Sequence, residues 1–228
     1  MRQRRAIVRS GLADQVYDDV RERILDLEYA PEERLVIDRI ARQLTVSVTP
    51  VRDALNRLAA ERLIDFTPFR GFAVLPEPTL EEIAQSFEAR ECIEAFAAGL
   101  GCERATEREI DGLEALHERI VAQDYGGRSG SFSRFVRLNE EFHELLVSSS
   151  GNLALVEARR ALYHDALVAR TMHGRGVPDL GQIDVEHRAI LDAFRARDAR
   201  ALEAATVAHI RDGAARVLAA SGQPNGTG

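Results

Sequence analysis

Apolar positions along the chain change period twice. Up to Leu58 they recur at helical spacing, with Val16, Val20, Ile24 and Leu27 on one stripe, Ile37, Ile40, Ala41 and Leu44 on a second, and Val51, Ala54, Leu55 and Leu58 on a third. The segment LIDFTPFRGFAVL then reads as two short strands around a turn, so the order is helix, helix, turn, helix, hairpin. Ser47 is placed as the N-cap of the third helix, and Pro50 falls in its first turn, where a missing N–H costs nothing. Leu75-Pro76-Glu77-Pro78 can neither continue a strand nor start a long helix and marks a boundary. From Thr79 onward the pattern is helical again. It predicts helices near 79–104, 106–124, 131–149, 152–173, 179–197 and 198–219, with capping boxes at Thr79/Glu82 and Thr106/Glu109. Short breaks between amphipathic helices imply an antiparallel bundle. The expected fold is mostly α, a winged helix-turn-helix domain followed by an all-α antiparallel six-helix bundle. The expected division is a disordered basic arm at 1–10, the helix-turn-helix and hairpin domain at 11–75, a linker at 76–78, a helical domain at 79–220 and a disordered tail at 221–228.

Charge sharpens this division. The net charge of −7 looks unsuited to a nucleic-acid partner, yet residues 1–75 carry 13 Arg against 12 Asp and Glu, hence +1, and residues 76–228 carry 17 against 25, hence −8. Arg2, Arg4, Arg5 and Arg9 form an acid-free arm that reads either as a phosphate-neutralising segment or as a solubilising tail. No apolar run approaches the roughly 20 residues of a membrane helix, and the basic start lacks a signal-peptide core, so no membrane partner and a cytoplasmic location are expected. Cys92 and Cys102 sit ten residues apart on one expected helix, about 15 Å along its axis, which is too far for a mutual disulfide. Both are expected to be buried thiols.

Two sets of side chains carry candidate chemistry. On the third helix the buried stripe leaves Thr49, Arg52, Asn56 and Arg57 facing outward, which suits a major groove where Arg reads guanine and hydroxyls hold phosphates; the alternative is a solvated face. In the bundle, Asn139 and His143 lie four apart on a face with Phe135, Phe142 and Leu146. His187 shares a stripe with Ile190, Leu191 and Phe194, and His209 shares one with Leu202, Ala205 and Val217. These are either satisfied core histidines or a set of imidazoles with one amide oxygen, a set that suits a divalent ion such as Zn or Ni. His117 reads as surface-exposed, His164 as a candidate cavity residue, and His173 as the border of a Gly loop.

The run from about Ala13 to Leu75 resembles the winged helix-turn-helix domain of GntR-type transcriptional regulators, with VSVTPVRDALNRLAAERLI at the recognition helix and FRGFAV at the wing. Val48 stands where that family usually has a basic residue, and Arg62 where it usually has Gly. The later segments FEARECIEAFAAGLGCERAT, LNEEFHELLVSSSGN, VEHRAILDAFRARDARA and VAHI resemble the FCD-type ligand-binding domain of the FadR subfamily, in its six-helix VanR-like branch. The resemblance implies a homodimer on a double-stranded DNA operator, contacted through Ser47, Thr49, Arg52, Asn56, Arg70 and Gly71. It implies a divalent metal on Asn139, His143, His187 and His209, although many members have Asp where Asn139 stands. It also implies that Arg90 pairs with a small carboxylate effector; a salt bridge from Arg90 to Glu94 or Glu88 is the alternative. The resulting expectation is a transcriptional regulator and not an enzyme. The alternatives are a metal-dependent hydrolase, which lacks a local His-Glu-x-x-His motif here, and a metal sensor that needs no organic ligand.

Overall fold

The computed structural model describes residues 10–221 apart from 27, 124, 126–130, 164–166, 169–170 and 173–178. The chain divides into two compact units between Glu77 and Pro78. In the first, helices α1 (Ser10–Leu25), α2 (Ile37–Leu44) and α3 (Val48–Ala60) accompany strands β1 (Arg34–Leu35), β2 (Ile64–Thr67) and β3 (Gly71–Val74). The sheet is antiparallel in the order β1-β3-β2, with Leu35 opposite Phe72 and Ile64 opposite Val74. Val16, Val20 and Ile24 are buried as their spacing requires, with Leu25 beside them, and α1 packs on the fully buried α3 stripe of Val51, Ala54, Leu55 and Leu58. Leu27, expected on that stripe, lies outside the described residues.

Two local details mark the ends of α3. Ser47 occupies the N-cap position of α3 with extended backbone, but its hydroxyl makes no capping bond. Arg62, which follows α3, has φ of 58°, the left-handed conformation in which a glycine carries no Cβ penalty. The arginine thus adopts the conformation that glycine favours. At the wing turn, Gly71 has φ of 82°, and Arg34 Nε donates to the Arg70 carbonyl at 3.1 Å, tying the turn to β1.

The described part of the second unit contains helices α4 (Leu80–Arg104), α5 (Glu107–Val121), α6 (Ser131–Ser148), α7 (Leu153–Ala161), α8 (Leu180–Arg195) and α9 (Ala199–Ser221). Both capping boxes form, Thr79 with Glu82 and Thr106 with Glu109. Helix α4 lies against α9, α6 and α7, while α5 lies against α6 and α8, and α8 against α9. At Gly101 a Cβ would fall 2.4 Å from Ser149 Oγ, so glycine permits the close approach of α4 to the end of α6.

The helix expected over 152–173 is interrupted. Helix α7 stops at Ala161, and Tyr163 turns left-handed with φ of 50°, before residues 167–168 and 171–172 are helical again. The break expected at Asp198 is complete, because Arg197 is left-handed and the Asp198 carboxylate accepts from Ala201 N. Cys102 is buried, but Cys92 is exposed, since it faces away from the neighbours that cover Glu94 and Ala98. His164, His173, the basic arm but for Ser10, and the tail but for Ser221 lie outside the described residues. Among the described residues no helix is long and apolar enough to cross a membrane.

Candidate functional site

In the first unit, α3 presents Ser47, Val48, Thr49, Arg52 and Asn56 to solvent, and Arg70 is exposed on the wing turn beside the half-buried Gly71. Arg57 also faces outward, but its guanidinium is drawn back onto α1, with Nη1 2.5 Å from Asp14 Oδ1 and Cζ 4.1 Å from the centre of the Tyr17 ring. Among the described residues Arg52 has no such partner. The uncapped Ser47 hydroxyl is likewise available at a helix N-terminus, where backbone N–H groups attract anions.

In the second unit, three helices bring together a buried group of imidazoles. Helix α6 supplies His143, α8 supplies His187 and α9 supplies His209, with ligand atoms that all lie within 4.8 Å of one another. His143 Nε2 and His209 Nε2 are 3.1 Å apart. The other nitrogen of each ring faces a carboxylate. His209 Nδ1 donates to Glu186 Oε2 at 2.8 Å, and His143 Nδ1 stands 2.9 Å from Glu94 Oε2, a distance that fits an N–H···O bond although the ring is turned off the ideal line. A ring whose Nδ1–H points at a carboxylate has its lone pair on Nε2. Two such lone pairs facing each other repel unless a cation lies between them. His187 stacks flat on Phe142, with centroids 4.1 Å apart, and neither of its buried nitrogens has a hydrogen-bond partner among the described residues. Leaving a buried polar group unsatisfied costs about 1 to 3 kcal/mol.

These features fit a metal ion. Two nitrogens each about 2.1 Å from one ion stand roughly 3.0 to 3.4 Å apart at ordinary coordination angles, the separation of the two Nε2 atoms. Burial drives all three imidazoles toward the neutral form that can ligate. It pushes His143 down to about 3 with help from Arg90, lowers His187 well below its usual value, and lowers His209 against the opposing pull of Glu186. Asn139 is half-buried one turn before His143 on α6.

Arg90 is buried, and its Nε donates to Glu94 Oε1 at 2.7 Å, one of the two pairings open to it from sequence. Arg159, from α7, donates to the same oxygen at 3.1 Å. Burial works to raise the Glu94 pKa, but Arg90, His143 and Arg159 outweigh it and hold the carboxyl well below its ordinary value. Glu186 is gripped at both oxygens by Arg216, at 2.5 and 2.8 Å, and despite burial its pKa falls to about 2 through His209 and Arg216. Sequence reasoning missed Glu94 as a partner of His143, and missed Arg159, Glu186 and Arg216 altogether. Glu94 falls one turn after Arg90 and Arg216 two turns after His209, a spacing that signals a shared face, whereas Glu186 adjoins His187 and so points elsewhere on the helix.

His117, expected at the surface, is buried. Its Nε2 lies 3.0 Å from Asp184 Oδ1, and its ring meets His187 edge-on at 5.6 Å. Desolvation lowers its pKa against the pull of Asp184.

Comparison with known proteins agrees with this division. The family described as bacterial regulatory proteins, gntR family, matches residues 12–74, and the FCD domain matches residues 85–212. The chain is 37% identical over 144 residues to the Nta operon transcriptional regulator of Aminobacter aminovorans, covering 62% of this chain and 65% of that regulator. It is 31% identical over 189 residues to a probable D-xylose utilization operon transcriptional repressor of Paenarthrobacter nicotinovorans, covering 82% and 78% of the two chains. The solved structure of E. coli McbR/YncC superposes with a TM-score of 0.71 at 21% identity, covering 91% of this chain and 97% of that one.

Proposed function

Because the chain belongs to the GntR family of bacterial transcriptional regulators, with an FCD domain behind its helix-turn-helix domain, we propose that its helical domain binds a divalent metal and a small organic acid, and that this binding modulates operator affinity. The observation that carries the reading is the pair of imidazole Nε2 atoms 3.1 Å apart, each backed by a carboxylate, beside His187, whose nitrogens have no hydrogen-bond partner among the described residues. A bound ion supplies positive charge and leaves coordination positions for an anion. Around it, Arg90, Arg159 and Arg216 are matched by the carboxylates Glu94, Glu144 and Glu186, so it is the charge of the ion itself that favours an anionic ligand. The relatives' names point to unlike operons and so to no one acid.

On DNA, Arg52 and Asn56 read bases while Ser47, Thr49, Arg70 and the Gly71 turn hold the backbone. One winged domain of charge near +1 is too small for tight specific binding, so the protein works as a cytoplasmic homodimer reading half-sites of a near-palindrome. A chain that sediments as a monomer at micromolar concentration, free and on DNA, contradicts that assembly.

A metal sensor without organic ligand is the second reading, favoured by the commitment of Arg90 to Glu94. A thermal-shift screen against small carboxylates, with and without chelator, separates the two. Saturating ligand at about 100 times its dissociation constant adds roughly 2.7 kcal/mol to stability. A shift from Zn(II) alone, with none from any carboxylate and with operator binding changed by Zn(II), selects the metal sensor. No shift from either ligand refutes both readings.

A further inference from the structure

Resting on the metal reading above, we infer that Glu94 and Glu186 are positioning residues for the ion: they fix which nitrogen of His143 and His209 ligates it and supply the negative charge that Asn139 lacks. With Asn in place of Asp, three imidazoles and an amide bring no anionic ligand. The two carboxylates stand directly behind two of the ligands, Glu94 at 2.9 Å from His143 Nδ1 and Glu186 at 2.8 Å from His209 Nδ1. Each therefore places its imidazole's lone pair on the inward Nε2 and makes that nitrogen a stronger donor. They come from different helices, α4 and α8, so neither substitutes for the other.

The carboxylates are themselves pinned. Arg90 and Arg159 share Oε1 of Glu94, which leaves Oε2 facing His143, and Arg216 grips both oxygens of Glu186. Buried ion pairs of this kind are weak contributors to stability, because desolvation offsets their attraction, so their presence beside the imidazoles calls for a role other than holding the fold. Arg90 thus reaches the metal position through Glu94, and Arg159 links the same carboxylate to Glu144 on α6 at 3.5 Å.

The test uses the full-length chain and the variants Glu94→Gln, Glu186→Gln and His187→Ala. Zn(II) affinity is measured by competition with a chromophoric chelator, the visible spectrum of the Co(II)-loaded protein reports ligand geometry, and the thermal midpoint in chelator reports the fold. Each glutamine variant is expected to lose about 10- to 100-fold in Zn(II) affinity and to alter the Co(II) spectrum. If Glu94→Gln does not fold, Glu186→Gln, which alters a carboxylate nearer the edge of the bundle, carries the test alone. If His187→Ala loses Zn(II) while the glutamine variants keep parental affinity and spectrum, whatever their midpoints, this inference is overturned and the metal reading stands. If the parent chain binds neither Zn(II) nor Co(II), both fail.

Discussion

His143 and His209 point their Nε2 atoms at each other across 3.1 Å while their Nδ1 atoms face Glu94 and Glu186. Removing either the facing pair or the unpaired third ring should destroy a metal site but leave a core histidine's packing partly replaceable. His143→Ala and His187→Ala are each expected to lose bound metal, measured by elemental analysis, and to lose the carboxylate-induced thermal shift seen in the parent. Folded variants with full metal and an unchanged response to the same acid would make these histidines packing residues.

Acid sensitivity of the metal-free protein follows from the same burial. His117, His143, His187 and His209 all have pKa values lowered in the folded state, chiefly by desolvation, that of His143 to about 3. Unfolded, each titrates near about 6.5. Below that pH the unfolded chain binds more protons than the folded one, so stability is present above about 6.5 and is lost as pH falls, by up to about 1.4 kcal/mol per pH unit for each imidazole. Glu94 and Glu186, whose folded pKa values are also lowered, continue the loss below about 4.5 with the same sign. Chelator-treated protein should therefore show a thermal midpoint that is level above about pH 7.5 and drops steeply below 6.5, with a shallower drop in His187→Ala. A midpoint unchanged between pH 7.5 and 5 contradicts this.

Arg52 stands exposed on α3, whereas Arg57 is held by Asp14 and Tyr17 and the exposed Val48 offers no charge. Arg52→Ala is expected to cost about 1 to 3 kcal/mol of specific operator binding and to relax base preference, as read by fluorescence anisotropy on matched and mutated sites. Operator affinity equal to the parent's, with the fold intact, removes α3 from the role of recognition helix.

Arg62 holds a left-handed backbone after α3. Relief of that conformation is worth about 1 to 2 kcal/mol, and the added freedom of an unfolded glycine takes back about 0.4 to 1. Arg62→Gly should raise stability by roughly 0.5 to 1 kcal/mol in urea unfolding, and Arg62→Ala should not. Equal midpoints for the two variants would mean that backbone strain is not what separates them.

The helical stripes, the caps and the hairpin were legible in the sequence because each depends on residues within one or two turns of one another. Val51, Ala54, Leu55 and Leu58 are buried, and Thr79 and Thr106 each cap with a glutamate three residues on, for reasons already present in local spacing. The likeness to GntR-type and FCD domains rested on ordered runs of such residues. His143, His187 and His209 could be singled out as polar residues on apolar stripes, but nothing in their spacing said that their rings meet. That was decided by how α6, α8 and α9 pack, since contacts between residues 66 apart in the chain depend on helix placement and rotation. The same packing buried His117 against α8, paired Glu94 with His143 and set Arg216 on Glu186. The break after α7 and the left-handed turn at Arg62 also lie beyond a pattern reading, because an apolar stripe constrains which face is covered and not the sign of φ at a single residue.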